Sequence, residues 1–272
     1  MIYLKDNKIN KFGNNKIYLG DKLIYQTVKG EEKPIEPKIL IYDTLIDNNE
    51  VMLTKHGDYF EYIKIIEDDI TLDLSSFEDN IIKYTFKTKG DHQVEVELKK
   101  DISSINGIFS GLSRLKELPI NLFEGCENIT NVSYMFGLSS RIPIIPENIF
   151  KPLINLENIQ TMFSTCSSMI ELNVNLFDYN TNITKAYGIF ENNRNLTTVP
   201  TYLFKNNKKI EEFNRCFYDC QSLTVMPLDE NDKPLYNRSN GQDSYAIPSN
   251  TNDCFINCTK IPNYSSIPND WK

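Results

Sequence analysis

The chain has 272 residues, enough for about two domains of ordinary size, and 40% of them are hydrophobic, as in typical globular proteins. Its net charge of −8 argues against nonspecific binding to DNA or RNA and against docking on an anionic membrane, because both need a basic surface. The sequence has no apolar run long enough for a transmembrane helix and no signal-peptide core near Met1, so we expect neither membrane insertion nor Sec-dependent export.

The first region, residues 1–28, contains a short duplication. The segment Ile2-Tyr3-Leu4 recurs as Ile17-Tyr18-Leu19, and turn-forming residues follow each copy. Such β-prone runs predict small hairpins, which are too small to be stable alone. We therefore predict that this region is an attachment segment whose duplicated residues contact a partner surface.

A charged segment with two prolines, residues 29–38, predicts an extended linker. The region that follows, residues 39–100, predicts a small antiparallel sheet or sandwich. Its β-prone runs are residues 39–42, 59–65, 70–74, 82–86 and 94–98. The last two alternate apolar and polar residues, as half-buried strands do, and Gly90-Asp91 is predicted to be the turn between them.

The third region, residues 101–272, contains evenly spaced phenylalanines. They are Phe109, Phe123, Phe136, Phe150, Phe163, Phe177, Phe190, Phe204 and Phe217. Their spacing alternates between 14 and 13, so the repeat has a period of 27 and consists of two unequal half-units. Aliphatic residues recur at fixed offsets from each phenylalanine. A constant period of this length predicts a solenoid whose coils bury their apolar faces against one another.

The phase of the repeat breaks after Phe217, because the next phenylalanine is Phe255, 11 residues later than expected. Residues 228–252 are therefore predicted to form an inserted loop before a last, capping coil. Long loops in compact repeats are usually functional or disordered, and tyrosine, arginine and amide side chains suit contacts with carbohydrate or protein. The alternative is that the loop is an excursion of the chain without a binding function. The candidate binding residues in this loop are Tyr236, Arg238, Asn240, Gln242 and Tyr245.

The repeating unit h-F-x-x-C-x-x-L-x-x-L-P-x-x-L-F, in which h is aliphatic, resembles the leucine-rich repeats of the Bacteroides surface protein A type and the related mycoplasma-type repeats. This resemblance covers residues 102–272. The preceding segment YTFKTKGDHQVEVELKKDISSINGIF is similar to the strand-turn-strand segment that leads into such repeats in gut-bacterial proteins. The resemblance implies a mainly β fold with short helical turns, in which a leucine-rich-repeat solenoid follows the hairpins and the small sheet.

The motif I-Y-L-G-D-K-L-I-Y at residues 17–25 resembles N-terminal segments of virion proteins from phages of Bacteroidetes, including crAss-like phages. In those proteins an N-terminal piece attaches to the particle and the distal domain faces outwards. The resemblance implies attachment to a virion through residues 1–28. The missing signal peptide suits a protein that is assembled into particles in the host cytoplasm.

The side chains that could carry chemistry favour structural roles. Cys216 and Cys254 occupy equivalent repeat positions, as do Cys220 and Cys258, and we interpret them as buried core thiols, with a zinc site or a disulfide as alternatives. The two histidines, His56 and His92, lack a recognisable nucleophile motif and are interpreted as surface residues. No catalytic residue, metal site or cofactor is predicted.

These observations predict a non-enzymatic virion protein of a phage, structural or decorative, in the head or in a tail fibre. Its expected partners are other virion proteins, bound through the N-terminus, and a glycan or protein of the host surface. Homo-oligomerisation is left open. The alternative hypothesis is a bacterial cell-surface adhesin of the leucine-rich-repeat type.

Overall fold

The computed structural model describes the backbone of five strands between residues 3 and 26, together with residues 36–172, 175–240 and 244–272. The chain divides into two compact units, Met1–Lys38 and Ile39–Lys272. The described residues are mainly β, with small antiparallel sheets and short 3-10 helices. None of the helices among them has the length and apolar character needed to cross a membrane.

The described strands are β1 (Tyr3–Leu4), β2 (Asn7–Lys8), β3 (Asn10–Phe12), β4 (Lys16–Leu19), β5 (Lys22–Gln26), β6 (Lys38–Thr44), β7 (Asn49–Thr54), β8 (Phe60–Ile65), β9 (Ile70–Thr71), β10 (Ile82–Phe86), β11 (Gly90–Leu98) and β12 (Leu115–Glu117). The 3-10 helices are Gly57–Tyr59, Leu74–Ser76, Glu78–Asn80, Leu235–Asn240, Tyr264–Ser266 and Asn269–Trp271. The remaining described residues form turns, bends and isolated β-bridges.

The described strands of the N-terminal unit form two antiparallel arrangements. Strands β1 and β2 pair with each other, and β3, β4 and β5 form a three-stranded sheet in that order. The two copies of the duplicated segment lie in β1 and β4. Of the predicted attachment residues, Ile2 lies outside the described residues, as do residues 29–35 of the predicted linker.

Strands β6 to β11 form two sheets. The larger has the order β12-β6-β11-β8-β9, and β7 pairs with β10 in a second sheet of two strands. The predicted hairpin of residues 82–86 and 94–98 is therefore wrong, because β10 pairs with β7 and β11 pairs with β8. Both strands nevertheless bury apolar side chains in the same core. The core therefore joins strands whose hydrogen-bonding partners lie in different sheets.

The sheets and the phenylalanine repeats belong to one compact unit. Strand β12, which lies in the first repeat, pairs with β6 of the larger sheet. The Thr54 hydroxyl also donates a hydrogen bond of 2.8 Å to the Ile108 carbonyl. A single hydrophobic core therefore continues from the sheets into the repeats.

Successive repeats of the sequence lie beside one another in parallel register. We call each repeat a coil and number the coils 1 to 6 by the phenylalanine that opens them, from Phe109 to Phe255. Parallel bridges join equivalent residues, from Ser104 to Asn131 and onwards to Lys185, each one full period further along. The last step in this series, from Glu212 to Asn250, is longer than one period and still returns to the same register. The extra residues are thus accommodated without disturbing the stacking.

The phenylalanine rings form two columns. The first column consists of Phe109, Phe136, Phe163, Phe190, Phe217 and Phe255, and the second of Phe123, Phe150, Phe177 and Phe204. Neighbouring rings of the first column stack with centroid separations of 5.3–6.0 Å. All ten rings are buried. Each coil thus completes the apolar surface of the coil before it.

The backbone of the first half-unit repeats as closely as its rings do. In all six coils the residues two before and two after the first-column phenylalanine have positive φ. Glycine occupies some of these positions, such as Gly111 (φ 68°), whereas Thr165 adopts φ 59° with a branched side chain. The bends that carry each chain segment past its neighbours are therefore the same in every coil, whatever residue occupies them.

Both ends of the coil stack are covered by the chain itself. Strands β6 and β7 cover coil 1, through the β6–β12 pairing and the Thr54–Ile108 hydrogen bond. At the other end Trp271 is fully buried, with its ring 6.1 Å from Phe255, and its carbonyl accepts from the Phe255 backbone N–H at 2.8 Å. The flanks of the stack, rather than its ends, are therefore open to solvent.

Candidate binding surface

The inserted loop turns two of its candidate binding residues inward. Arg238 and Tyr245 are only 2% and 5% exposed, and the guanidinium carbon lies 4.2 Å from the centre of the tyrosine ring. The Arg238 Nη2 and Nη1 atoms donate to the carbonyls of Phe204 (2.5 Å) and Asn207 (3.2 Å). The predicted ligand contact is thereby corrected for both residues, because they pack inside the protein and close the second column.

The other candidate residues of the loop are less informative. Tyr236 is half-buried and packs against the core. Of Asn240 only the backbone is described, at the end of the 3-10 helix Leu235–Asn240, and Gln242 lies outside the described residues. The structure therefore brings Arg238 and Tyr245 together but gives no surface site that joins all five predicted residues.

Arg238 takes over a function that asparagines perform in the two preceding coils. The Asn180 Nδ2 atom donates to the carbonyls of Phe150 and Leu153, both at 2.8 Å. Asn207 does the same one coil later, toward Phe177 and Asn180, at 3.0 and 2.9 Å. In coils 3 to 5 the second column therefore has a side chain with two donors, which asparagine and arginine both supply, whereas coil 2 has the apolar Leu153 at the equivalent position.

The first column has a different requirement. Here the residue three after the phenylalanine donates one hydrogen bond to the phenylalanine carbonyl of the coil before it. The donors are Ser139, Cys166, Asn193, Cys220 and Cys258, at 2.8–3.2 Å from the carbonyl oxygens. Cys220 also accepts from the Asn193 backbone N–H, and the Asn193 side chain accepts from the Cys166 backbone N–H at 2.7 Å. Hydroxyl, thiol and amide groups all offer this pair of one donor and one acceptor.

All six cysteines are free thiols and all are buried. Burial raises the pKa of Cys166 to about 12 and raises the pKa values of Cys216, Cys220 and Cys258 as well. Within the described residues, no group of histidine, cysteine and acidic side chains is arranged to hold a metal ion. The thiols therefore act in this structure as hydrogen-bonding core residues.

His92 is buried, which corrects its interpretation as a surface residue. Its Nδ1 lies 2.5 Å from the Glu67 carboxylate and its Nε2 lies 2.9 Å from the Thr44 hydroxyl. This order of carboxylate, imidazole and hydroxyl resembles a hydrolytic triad. The Thr44 side chain is buried, however, and its hydroxyl donates to the Thr88 carbonyl at 3.0 Å. The arrangement ties β6, β11 and the β8–β9 turn together instead of presenting a nucleophile.

His56, the second histidine, is half-buried and stacks on Tyr59 with ring centroids 4.9 Å apart. Partial burial lowers its pKa. It packs against the turn of the first coil, since a Cβ atom added at Gly107 would lie 3.2 Å from its Nε2 atom. Gly107 has φ +67°, so the close approach and the backbone conformation both favour glycine there.

An open cleft of about 590 Å³ runs along one flank of coils 4, 5 and 6. Its lining residues follow the first-column phenylalanines by two to five positions, so the same turn of three successive coils builds it. They are all polar: Arg194, Asn195, Gln221, Ser222, Asn257, Thr259 and Lys260. The buried apolar positions that define the period do not predict this cleft, because its lining residues lie on the exposed side of the repeat.

A buried carboxylate organises the cleft. Asp219 is 4% exposed and accepts from Arg194 Nε (2.7 Å), Gln221 Nε2 (2.8 Å) and Asn257 Nδ2 (3.0 Å). These hydrogen bonds lower the pKa of Asp219 despite its burial, so the carboxylate is charged at neutral pH. One side chain therefore fixes the positions of three others, which come from three different coils.

Comparisons of the chain with protein-family models, with curated proteins and with solved structures find no match. What the protein does must therefore be inferred from its own residues. The features that bear on function are the separate N-terminal unit, the coil stack with its covered ends, and the polar cleft on its flank.

Proposed function

We propose that this protein is a non-enzymatic virion protein of a phage, in which residues 1–28 attach to the particle and a leucine-rich-repeat solenoid faces outwards to meet a host-surface glycan or protein. The observation that carries the proposal is the division of the chain into a small unit that holds both copies of the duplicated segment and a large unit that holds the repeats.

The repeat stack supports the solenoid part of the proposal. Equivalent residues of neighbouring coils are joined by parallel bridges at the interval of the sequence repeat, and the phenylalanine rings stack in the same order. Each coil buries its apolar face on the next, which is the physical basis of repeat proteins. The leucine-rich-repeat assignment adds to this the motif resemblance of residues 102–272.

The small N-terminal strands support the attachment part. The longest described strand of this unit, β5, has five residues, and two or three strands of this size have little apolar surface to bury. Contact with other virion proteins would supply the missing surface. The same proposal places the protein in the virion, which is assembled in the host cytoplasm. Attachment and ligand binding of this kind require no cofactor.

Deletion of residues 1–28 tests the proposal. The full chain and the truncated chain are expressed in infected cells, and purified particles are analysed by mass spectrometry. We expect the truncated chain to be absent from particles while its thermal unfolding stays cooperative, which shows that the repeat unit is intact. Normal incorporation of the truncated chain would contradict attachment through this segment. Recovery of the full chain from the bacterial envelope rather than from particles would favour the adhesin.

A further inference from the structure

We propose that the cleft along coils 4, 5 and 6 binds the acidic group of a saccharide, either a carboxylate or a sulfate. The inference rests on the proposed function only in taking the repeat body as the part that meets a ligand. It places the ligand on the flank of the stack, away from the inserted loop whose Arg238 and Tyr245 are buried.

The charge distribution along the repeats points to an anion. In the first half-unit, the positions four and five after the phenylalanine carry no acidic residue in any of the six coils, although the chain has 37 acidic residues. Four of these twelve positions are cationic: Arg114, Arg141, Arg194 and Lys260. Arg141 pairs with a carboxylate of the sheets at 2.5 Å, whereas Arg194 and Lys260 both line the cleft.

The one carboxylate beneath the cleft does not cancel this charge. Asp219 is buried and accepts from the Nε of Arg194, but the Arg194 side chain remains 68% exposed. Two amide donors share the Asp219 charge from either side. A solvent-borne anion therefore meets the outer part of the guanidinium and the exposed Lys260 ammonium, while the carboxylate lies below them.

The uncharged lining residues favour a saccharide as the carrier of the acid. Gln221 and Asn257 hold fixed positions because Asp219 accepts from both, and Ser222 and Thr259 add hydroxyls. Amides and hydroxyls offer both donors and acceptors, as sugar hydroxyls require. The cleft volume of about 590 Å³ lies within the range of small-molecule sites.

Other ligand classes fit the cleft less well. No aliphatic or aromatic side chain is among the residues that line it, so an apolar ligand would find no surface to bury and a neutral sugar would find no ring to stack on. A divalent metal ion would need oxygen or nitrogen ligands without competing cations. An acid group on a saccharide, by contrast, can pair with the Arg194 and Lys260 cations.

Calorimetric titration of the full-length protein at low salt tests the inference. The probes are a galacturonic acid tetrasaccharide, a sulfated chondroitin tetrasaccharide and neutral maltotetraose. We expect one or both acidic probes to bind more tightly than maltotetraose, and the tighter of the two identifies the acid. Lys260→Gln should weaken that binding about tenfold, the usual worth of one hydrogen bond to a charged group.

The matched control is Lys209→Gln, which removes an exposed lysine of the second half-unit, away from the cleft. It should leave the affinity unchanged, and both variants should unfold at the same urea concentration as the parent. Equal binding of acidic and neutral probes, no binding of either acidic probe, or equal affinities of the two variants would each overturn the inference. Because purified protein is used, these outcomes are independent of incorporation into particles.

Discussion

The two columns of the repeat solve the same problem with different chemistry. In each column a side chain of one coil adds hydrogen bonds to carbonyls of the coil before it, which also accept from the backbone. The first column needs one donor and one acceptor and therefore tolerates Ser139, Asn193 and several cysteines. In coils 3 to 5 the second column uses two donors, from Asn180, Asn207 and finally Arg238. The number of hydrogen bonds thus distinguishes the polar residues of the two columns, while the apolar Leu153 of coil 2 makes none with its side chain.

The second column also leaves a polar atom without a partner, which the first column avoids. The Oδ1 atoms of Asn180 and Asn207 are buried and accept no hydrogen bond from the described residues. An arginine has no acceptor atom and escapes this cost, although its Nε is likewise buried without a partner there. Burial also lowers the pKa of Arg238 to about 10, so the charge itself is held at some cost.

The largest expected effect comes from removing the last donor of the second column. Arg238→Met keeps the length of the side chain but removes two hydrogen bonds from a charged donor, so that the carbonyls of Phe204 and Asn207 keep only their backbone N–H donors, Asn207 and Ile210. A hydrogen bond from a charged group contributes about 1.5–3 kcal/mol. We expect the free energy of unfolding in urea to fall by about 3 kcal/mol. The exposed control Lys209→Met should change it by less than about 0.5 kcal/mol. Similar values for the two variants would contradict the capping role of Arg238.

A matched pair of substitutions tests the difference in demand directly. Asn207→Ser removes one of the two side-chain hydrogen bonds to the carbonyls of Phe177 and Asn180, which each keep a backbone N–H donor. We expect a loss of about 1.5 kcal/mol, because the lost hydrogen bond is fully buried. Asn193→Ser, in the first column, keeps one donor and one acceptor and should lose less than about 1 kcal/mol. Urea unfolding measures both. Equal losses would show that the two columns do not differ in the way proposed.

The smallest expected effect is a pH dependence that comes from a thiol of the first column. Burial raises the Cys166 pKa from 9.0 to about 12, so between these values the unfolded chain releases a proton that the folded chain keeps. Stability must therefore fall as the pH rises through this window. Cys166→Ser keeps a donor and an acceptor but does not titrate there.

Urea unfolding of the parent and of Cys166→Ser, both under reducing conditions, measures this difference. Between about pH 7.5 and pH 10.5, the parent should lose about 1–2 kcal/mol more than the variant. Parallel losses would mean that the Cys166 thiol titrates equally in the folded and unfolded states.

Much of the repeat body follows from the sequence. The nine evenly spaced phenylalanines are all buried, and the delay before Phe255 matches the longer step between Glu212 and Asn250. These features are predictable because each coil meets the same neighbours, so one local pattern repeats in space. Arg238 could not be predicted in this way. The period places the next donor after Asn207 at position 234, which is a proline. Arg238 instead donates from 31 and 34 residues after its two acceptors, outside the repeat spacing.

The sheets were harder to predict, because their pairings join distant segments. Strand β7, whose Val51 and Leu53 are buried, was not predicted. It pairs with β10, the strand that the predicted hairpin paired with β11. The burial of His92 did have a signal. The inward alternation of Val94 and Val96 in β11 extends back to position 92, although a histidine there argues against burial when its partners are unknown.

The covered ends of the stack have a consequence for how the number of coils can change in evolution. Because the sheets close one end and Trp271 the other, a duplicated coil inserted between them would lengthen the body by one ring spacing, about 5–6 Å, and leave both closures intact. The length of the stack can therefore change by whole coils without exposing a new apolar face. The flank would grow with it, so that reach and contact area increase together.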